Sequence, residues 1–132
     1  MAITDAHGLP IAIRTTGANR HEVKLVEETL EYVCTENPQR LIGDRAYDSD
    51  KLRMEMKLKA IDIIVPHRKN RTRPPTQDGR SLRRYKKRWK VERLFAWIHN
   101  YRRCVVRYDY YNMNFEGFVL LASVMIYLKK YF

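Results

Sequence analysis

The first 66 residues alternate short apolar runs with helical patterns, and this rhythm limits the chain to few folds. "MAITDAHGLPIAIRTT" holds two runs rich in Ile and Ala, broken by the turn cluster around Gly8 and Pro10, which predicts an antiparallel hairpin over residues 1–16. A helix is expected next. Asn19 can cap it, Glu22 stands three residues on as in a capping box, and Val23, Val26, Leu30 and Val33 share a helical face. After the break at "NPQ", "RLIGD" reads as a short buried strand running out at Asp44, "DSDKLRMEMKLKA" as a helix, and "IDIIVP" as a second buried strand. Strands separated by helices in this order predict an α/β sheet with crossovers, within a length suited to one domain.

Residues 67–80, "HRKNRTRPPTQDGR", interrupt the rhythm with prolines, a glycine and many charges, and read as a long basic loop. A long helix is expected from Ser81 to Tyr101, a turn through "YDYYNMN", and a last helix from about Phe115, whose segment "FVLLASVMIYL" is too short for a membrane span and reads as a core helix. No signal-peptide pattern opens the chain, and Cys34 and Cys104 lack any paired spacing, which together suit a reducing cytosol. His21 and Glu22 do not extend to a zinc-protease pattern, since Leu25 occupies the position where the second histidine belongs.

Charge narrows the function. Lys and Arg number 26 against 15 Asp and Glu, with the excess concentrated in residues 68–107. Such clustering points to a polyanion, nucleic acid rather than a membrane surface, the plain alternative being a solvated or ribosomal-type basic surface. Within the basic run "RRYKKRWKVERLFAW" stands a single acid, Glu92. Tyr85, Arg88, Glu92, Phe95 and His99 fall on one helical face, beside an apolar stripe of Leu82, Trp89, Ala96 and the flank of Phe95. Glu92 can simply pair with Arg88 one turn back. A second acid adds a chemical reading, because Asp44 lies where a buried strand emerges, and in open α/β sheets ligands sit at the carboxyl ends of strands. An Asp at a strand end and a Glu on a later helix suit a divalent-cation site for phosphoryl transfer, with the neighbouring cations on the phosphate backbone. Asp48 and Asp50 are expected to cap the following helix, and Asp5 to serve its own turn.

"LIGDRAYDS", "IVPHRKNR" and "RYKKRWKVERLFAWIHNYRRCVVRYD", in that order and preceded by "ITDAHGLPIAIRTTGANRHEV", resemble the catalytic core of bacterial insertion-sequence transposases of the DDE class. The resemblance spans nearly the whole chain. It implies a ribonuclease H-like α/β fold with C-terminal helices, two Mg²⁺ or Mn²⁺ ions, and cleavage and strand transfer on double-stranded DNA at transposon ends and target, in a bacterial, nucleoid-associated setting. By position, Asp44 matches the second catalytic aspartate and Glu92 the catalytic glutamate. Tyr85 and Arg88 match signature residues implied to touch the DNA backbone. Lys86, Lys87 and Arg93 beside them, and Arg68 and Arg71 from the loop, are further candidates for DNA contact.

Two departures from the family pattern stand out. The signature lysine seven residues after the glutamate is replaced by His99, a shorter and mostly neutral donor. The strand carrying the family's first aspartate, central to such a sheet, would precede Met1, so the fold is expected to be incomplete. The chain then reads as a partial catalytic domain over 1–132, with hairpin 1–16, strand–helix–strand 40–66, basic loop 67–80 and C-terminal helices 81–132. Its expected partners are DNA, an upstream transposase segment or an intact transposase subunit, and a second protomer in synapsis. The alternatives are a non-catalytic DNA-binding remnant or inhibitor and, more distantly, a basic RNA-associated protein.

Overall fold

Two short strands, β1 (Ala2–Thr4) and β2 (Pro10–Ile13), pair antiparallel with Ala2 opposite Ile13 and Ile3 opposite Ala12, as the two apolar runs predict. The computed structural model describes residues 1–17 and 19–132. The turn between the strands depends on Gly8, whose φ of +85° lies in the left-handed region. A Cβ there would also come within 2.7 Å of Arg93 Nη2. Gly8→Ala is therefore expected to cost about 1–2 kcal/mol, read as a lowered urea midpoint with unchanged slope; an unchanged midpoint would show that the turn relaxes freely.

Helix α1 (Glu22–Leu30) buries Leu25, Val26, Thr29 and Leu30. Its start corrects the expected cap. The N-cap position is His21, without a side-chain bond, because the helix begins two residues too late for Asn19 to reach its free amides. β3 (Arg40–Ile42), helix α2 (Asp50–Leu58) and β4 (Asp62–Ile64) then form the predicted crossover, with β3 and β4 parallel. Ser49 caps α2 by accepting from the Leu52 N–H at 3.4 Å, whereas Asp48 turns elsewhere.

The expected long helix over 81–101 is broken. A single turn, α3 (Gly79–Leu82), passes into a 3₁₀ stretch over Arg83–Arg88, and the regular helix α4 runs only over Trp89–Ile98. The sequence "RRYKKR" explains the break: it stacks like charges at i,i+4 and offers no buried residue to repay α-helical ordering. On α4 the buried residues are Leu94 and Ile98, while Trp89, Phe95 and Ala96 from the predicted apolar stripe are exposed. Helix α5 (Arg102–Val105) leads to α6 (Asn112–Tyr131), which begins earlier than expected and is buried on one face only.

The hairpin joins two hydrophobic clusters. The cross-strand pair Ile3 and Ala12 packs with Val26, Leu30, Leu52, Met56 and Val65 from α1, α2 and the end of β4. Ile13, together with Leu9 from the turn, packs on the other side with Leu94, Ile98, Val119 and Ile126 from α4 and α6. Alternation along a strand sends successive side chains to opposite faces, so one hairpin serves two helical layers. β1–β2 and β3–β4 nevertheless remain separate two-stranded sheets. Among the described residues no helix is long and apolar enough to cross a membrane.

Candidate active site

Between the two sheets runs a groove of about 800 Å³, lined on one side by β1 and on the other by β3, with Asp44 and Glu92 both in its wall. Its walls carry unused backbone groups. Met1 and Asp5 turn toward the second strand, since Arg14 N–H donates to Met1 O and Asp5 N–H to Leu9 O, each at 2.9 Å. Strand alternation then turns Ala2 and Thr4 outward, toward the groove. Across it, Asp62 N–H donates to Gln39 O at 2.9 Å and Gly43 N–H to Ile64 O at 3.1 Å, which leaves Arg40 and Ile42 facing outward. Among the described residues, each wall is an open strand edge.

Asp44 sits just beyond β3 as the N-cap of a 3₁₀ turn over Arg45–Tyr47, its Oδ1 accepting from the Ala46 N–H at 2.8 Å. The chain can turn there because Gly43 has no side chain: a Cβ would meet Tyr47 at 3.1 Å and Val65 at 3.3 Å. Tyr47 also lines the groove, and burial, then the Glu22 and Asp44 charges, push its phenol above the usual range. Glu92 projects from the first turn of α4, and its Oε1 meets Arg88 Nη2 at 2.6 Å. The ion pair read as the simpler role for Glu92 is thus present, and it stands in the groove wall with Lys87 beside it. The second oxygen of each carboxylate, Asp44 Oδ2 and Glu92 Oε2, has no hydrogen-bond or ion-pair partner among the described residues.

These are hard oxygen donors of the kind that bind Mg²⁺ or Mn²⁺. As a set they are short: among the described residues no group of three His, Cys, Asp or Glu side chains could hold a metal ion. Asp5 does not fill the gap, since its Oδ1 accepts from the His7 and Leu9 N–H groups at 2.8 Å each, the turn role expected of it.

The basic residues divide into two groups. Tyr85 lies against Arg88, the guanidinium carbon 5.7 Å from the ring centroid, and Lys86 and Lys87 are exposed along the 3₁₀ stretch. His99 is exposed at the C-terminal end of α4 and is not part of the groove wall. Arg93, Arg68 and Arg71 are engaged by other groups of the chain, Arg68 at the surface. Arg93 is sandwiched between Trp89 and Trp97 at 4.7 Å from each ring centroid and donates to His7 O, fastening the hairpin turn to α4. Arg68 donates to Ala46 O at 2.9 Å and Arg45 O at 3.2 Å. Arg71 reaches Asp50 at 2.8 Å and Asp48 at 3.4 Å.

Asp48 is the residue that sequence reasoning underrated. Its buried carboxylate meets Arg53 at 3.1 Å and His67 Nδ1 at 3.0 Å, and it accepts from the Arg68 N–H at 2.9 Å. Burial works against its charge, but the bonds from Arg68, His67 and Arg53 prevail and hold its pKa at about 2. His67 Nε2 accepts from the Thr76 N–H at 3.1 Å, so Nδ1 carries the proton given to Asp48. The 67–80 loop is therefore pinned at Asp48 and Asp50 beside the turn that carries Asp44. The available signal was the acidic "DSD" set against the basic "HRKNRTR".

The sequence profile of the transposase DDE domain family matches residues 1–128. The chain is 30% identical over 116 residues to the protein named as transposase for insertion sequence element IS402 in Burkholderia cepacia, a match covering 81% of this chain and 51% of that protein. It is 34% identical over 130 residues to the protein named as transposase for insertion sequence element IS6501 in Brucella ovis, covering 97% of this chain and 95% of that one. It thus spans about half the length of the first relative and nearly all of the second. No solved structure matches it significantly.

Proposed function

From this chain's membership of the transposase DDE domain family, we propose that it forms part of an insertion-sequence transposase core acting on double-stranded DNA at element ends. Asp44 and Glu92 serve as two of the carboxylates that hold Mg²⁺ or Mn²⁺. The observation carrying this reading is that an aspartate beyond β3 and a glutamate on α4 line one groove, each with a free oxygen, next to Lys87 and Arg88. The two open edges support a ribonuclease H-like sheet lacking its middle strand. A segment seated between them would hydrogen-bond to both walls at the usual spacing of about 4.8 Å and bring the third carboxylate.

Held by Asp44 and Glu92, a divalent cation would supply neutralisation of charge on the attacked phosphate and activation of the oxygen nucleophile. The chain's own residues supply position. Lys87 and Arg88 hold the phosphate backbone, Tyr85 orients Arg88, and Arg88 keeps Glu92 in the groove wall. The family uses divalent ions and acts on DNA, so the test concerns these residues. Mn²⁺ titration followed by electron paramagnetic resonance is expected to show weak binding that Asp44→Asn removes. Joined to an upstream segment that ends an apolar strand in Asp, the chain is expected to nick terminal DNA when Mg²⁺ is added. Unaltered Mn²⁺ binding in Asp44→Asn would remove Asp44 from the site.

The absence of a three-carboxylate cluster among the described residues favours a second reading, a DNA-binding remnant or inhibitor without chemistry. It predicts salt-sensitive DNA retention, from the basic 3₁₀ stretch, and no nicking in any metal.

A further inference from the structure

The outward face of α6 carries an apolar stripe that none of the described residues covers. Gly117, Leu121, Val124, Leu128 and Tyr131 follow one another at alternating steps of four and three residues, the spacing of a helix–helix seam. Leu121, Val124 and Tyr131 are each more than half exposed, and Leu120 and Leu128 nearly half. No charge interrupts the stripe from Gly117 to Leu128, and the flanking Glu116 is already engaged by the Thr15 N–H at 2.8 Å and hydroxyl at 2.7 Å. With Met113 and Met125 the exposed apolar surface is on the order of 800 Å², one partner's share of a standard interface.

Gly117 supplies an independent observation. It stands inside a helix, where glycine weakens the structure by about 1 kcal/mol relative to alanine, and a Cβ there would touch nothing within 4 Å. Nothing in the chain's own packing requires a glycine at that position. A space is left empty on the outer face.

We propose that α6 pairs with α6 of a second copy of this chain, antiparallel, about a two-fold axis at Val124. Gly117 and Tyr131 lie equally far from Val124 along the helix, about 10 Å on either side at 1.5 Å per residue. Antiparallel pairing sets the exposed Tyr131 ring of one copy into the space above Gly117 of the other, and Leu120 and Leu121 against Leu128. Small meets large at both ends, as a two-fold interface requires. Parallel pairing would set Gly117 on Gly117 and bring together the Lys129–Lys130 ends, where the carbonyl dipoles also repel. This pairing is independent of the metal chemistry proposed above.

Sedimentation of the full chain without DNA, at high salt to screen its net charge of +11, is expected to show dimer at the upper end of roughly 1–100 µM. Val124→Glu and Gly117→Leu should each shift the chain to monomer at all these concentrations. Gly117→Leu should keep or raise the melting temperature of that monomer, since the side chain meets open space, which separates lost pairing from lost folding. In a Cys34→Ser background, Val124→Cys should cross-link between copies on oxidation and Gly117→Cys should not. Monomer throughout for the unaltered chain, association surviving both substitutions, or cross-linking through Gly117→Cys would each overturn the proposal.

Discussion

Asp48→Ala is expected to destabilise the fold by about 3–5 kcal/mol, the range for breaking a buried ion pair and stranding its partner. The substitution leaves Arg53 and Arg71, both nearly buried, without the carboxylate between them. It also frees the Arg68 N–H and His67, so the loop over 67–80 loses its anchor. Urea unfolding at pH 7 measures the loss, and limited proteolysis should find new cleavage between Arg68 and Arg73. The same network predicts a pH dependence. Its folded-state pKa of about 2 lies below the ordinary 3.8, so the stabilisation, on the order of 2 kcal/mol, is complete above about pH 4 and lost as pH falls toward 2. An Asp48→Asn chain should lack this acid-side slope. Equal stability of Asp48→Ala and the unaltered chain would mean that the arginines find other partners.

Glu92→Gln is expected to reduce metal-dependent nicking by about 10³-fold or more, some 4 kcal/mol of barrier, in any assembled form of the enzyme that cuts DNA. The amide keeps the shape and removes the anionic oxygen a cation would bind. Fold stability should change by less than about 1 kcal/mol, because the Arg88 pair it disrupts is substantially exposed to solvent. DNA retention should be unchanged or stronger at low salt, as a negative charge leaves a basic surface. The pairing of lost cutting with intact retention separates a metal ligand from a residue that merely orders the helix. Nicking that survives the change would leave Glu92 as the partner of Arg88 and nothing more.

The hairpin, β3, α2 and β4 were legible because short apolar runs bounded by Gly, Pro and polar clusters admit few other structures. The helix over 81–101 was not, since helical spacing of Tyr85, Arg88 and Glu92 says nothing about whether five nearly contiguous cations and one tyrosine can find a surface to pack on. The same limit misjudged direction on α4. Periodicity placed Trp89 and Ala96 inside, whereas tertiary contact with the hairpin chose Leu94 and Ile98. At the candidate site, sequence position and local chemistry singled out Asp44 and Glu92 one at a time, and the groove that both line was not legible. Composition counts charges without their aim, which is why Arg93, Arg68 and Arg71 read as DNA-facing although aromatic rings, carbonyls and carboxylates of the chain itself engage them. The role of Asp48 escaped because its partners Arg53, His67 and Arg71 come from separate segments.

The placement of the hairpin between two hydrophobic clusters has a consequence during synthesis. The hairpin leaves the ribosome among the first parts of this chain, and α1 and α2 follow soon enough to cover one of its faces. The other face waits for α4 and α6, the latter at the far end of the sequence. At about 5–20 residues per second, Leu9 and Ile13 remain uncovered for several seconds after they emerge. During that interval the nascent chain carries an apolar surface and an unpaired strand edge together, the combination a holding chaperone would recognise.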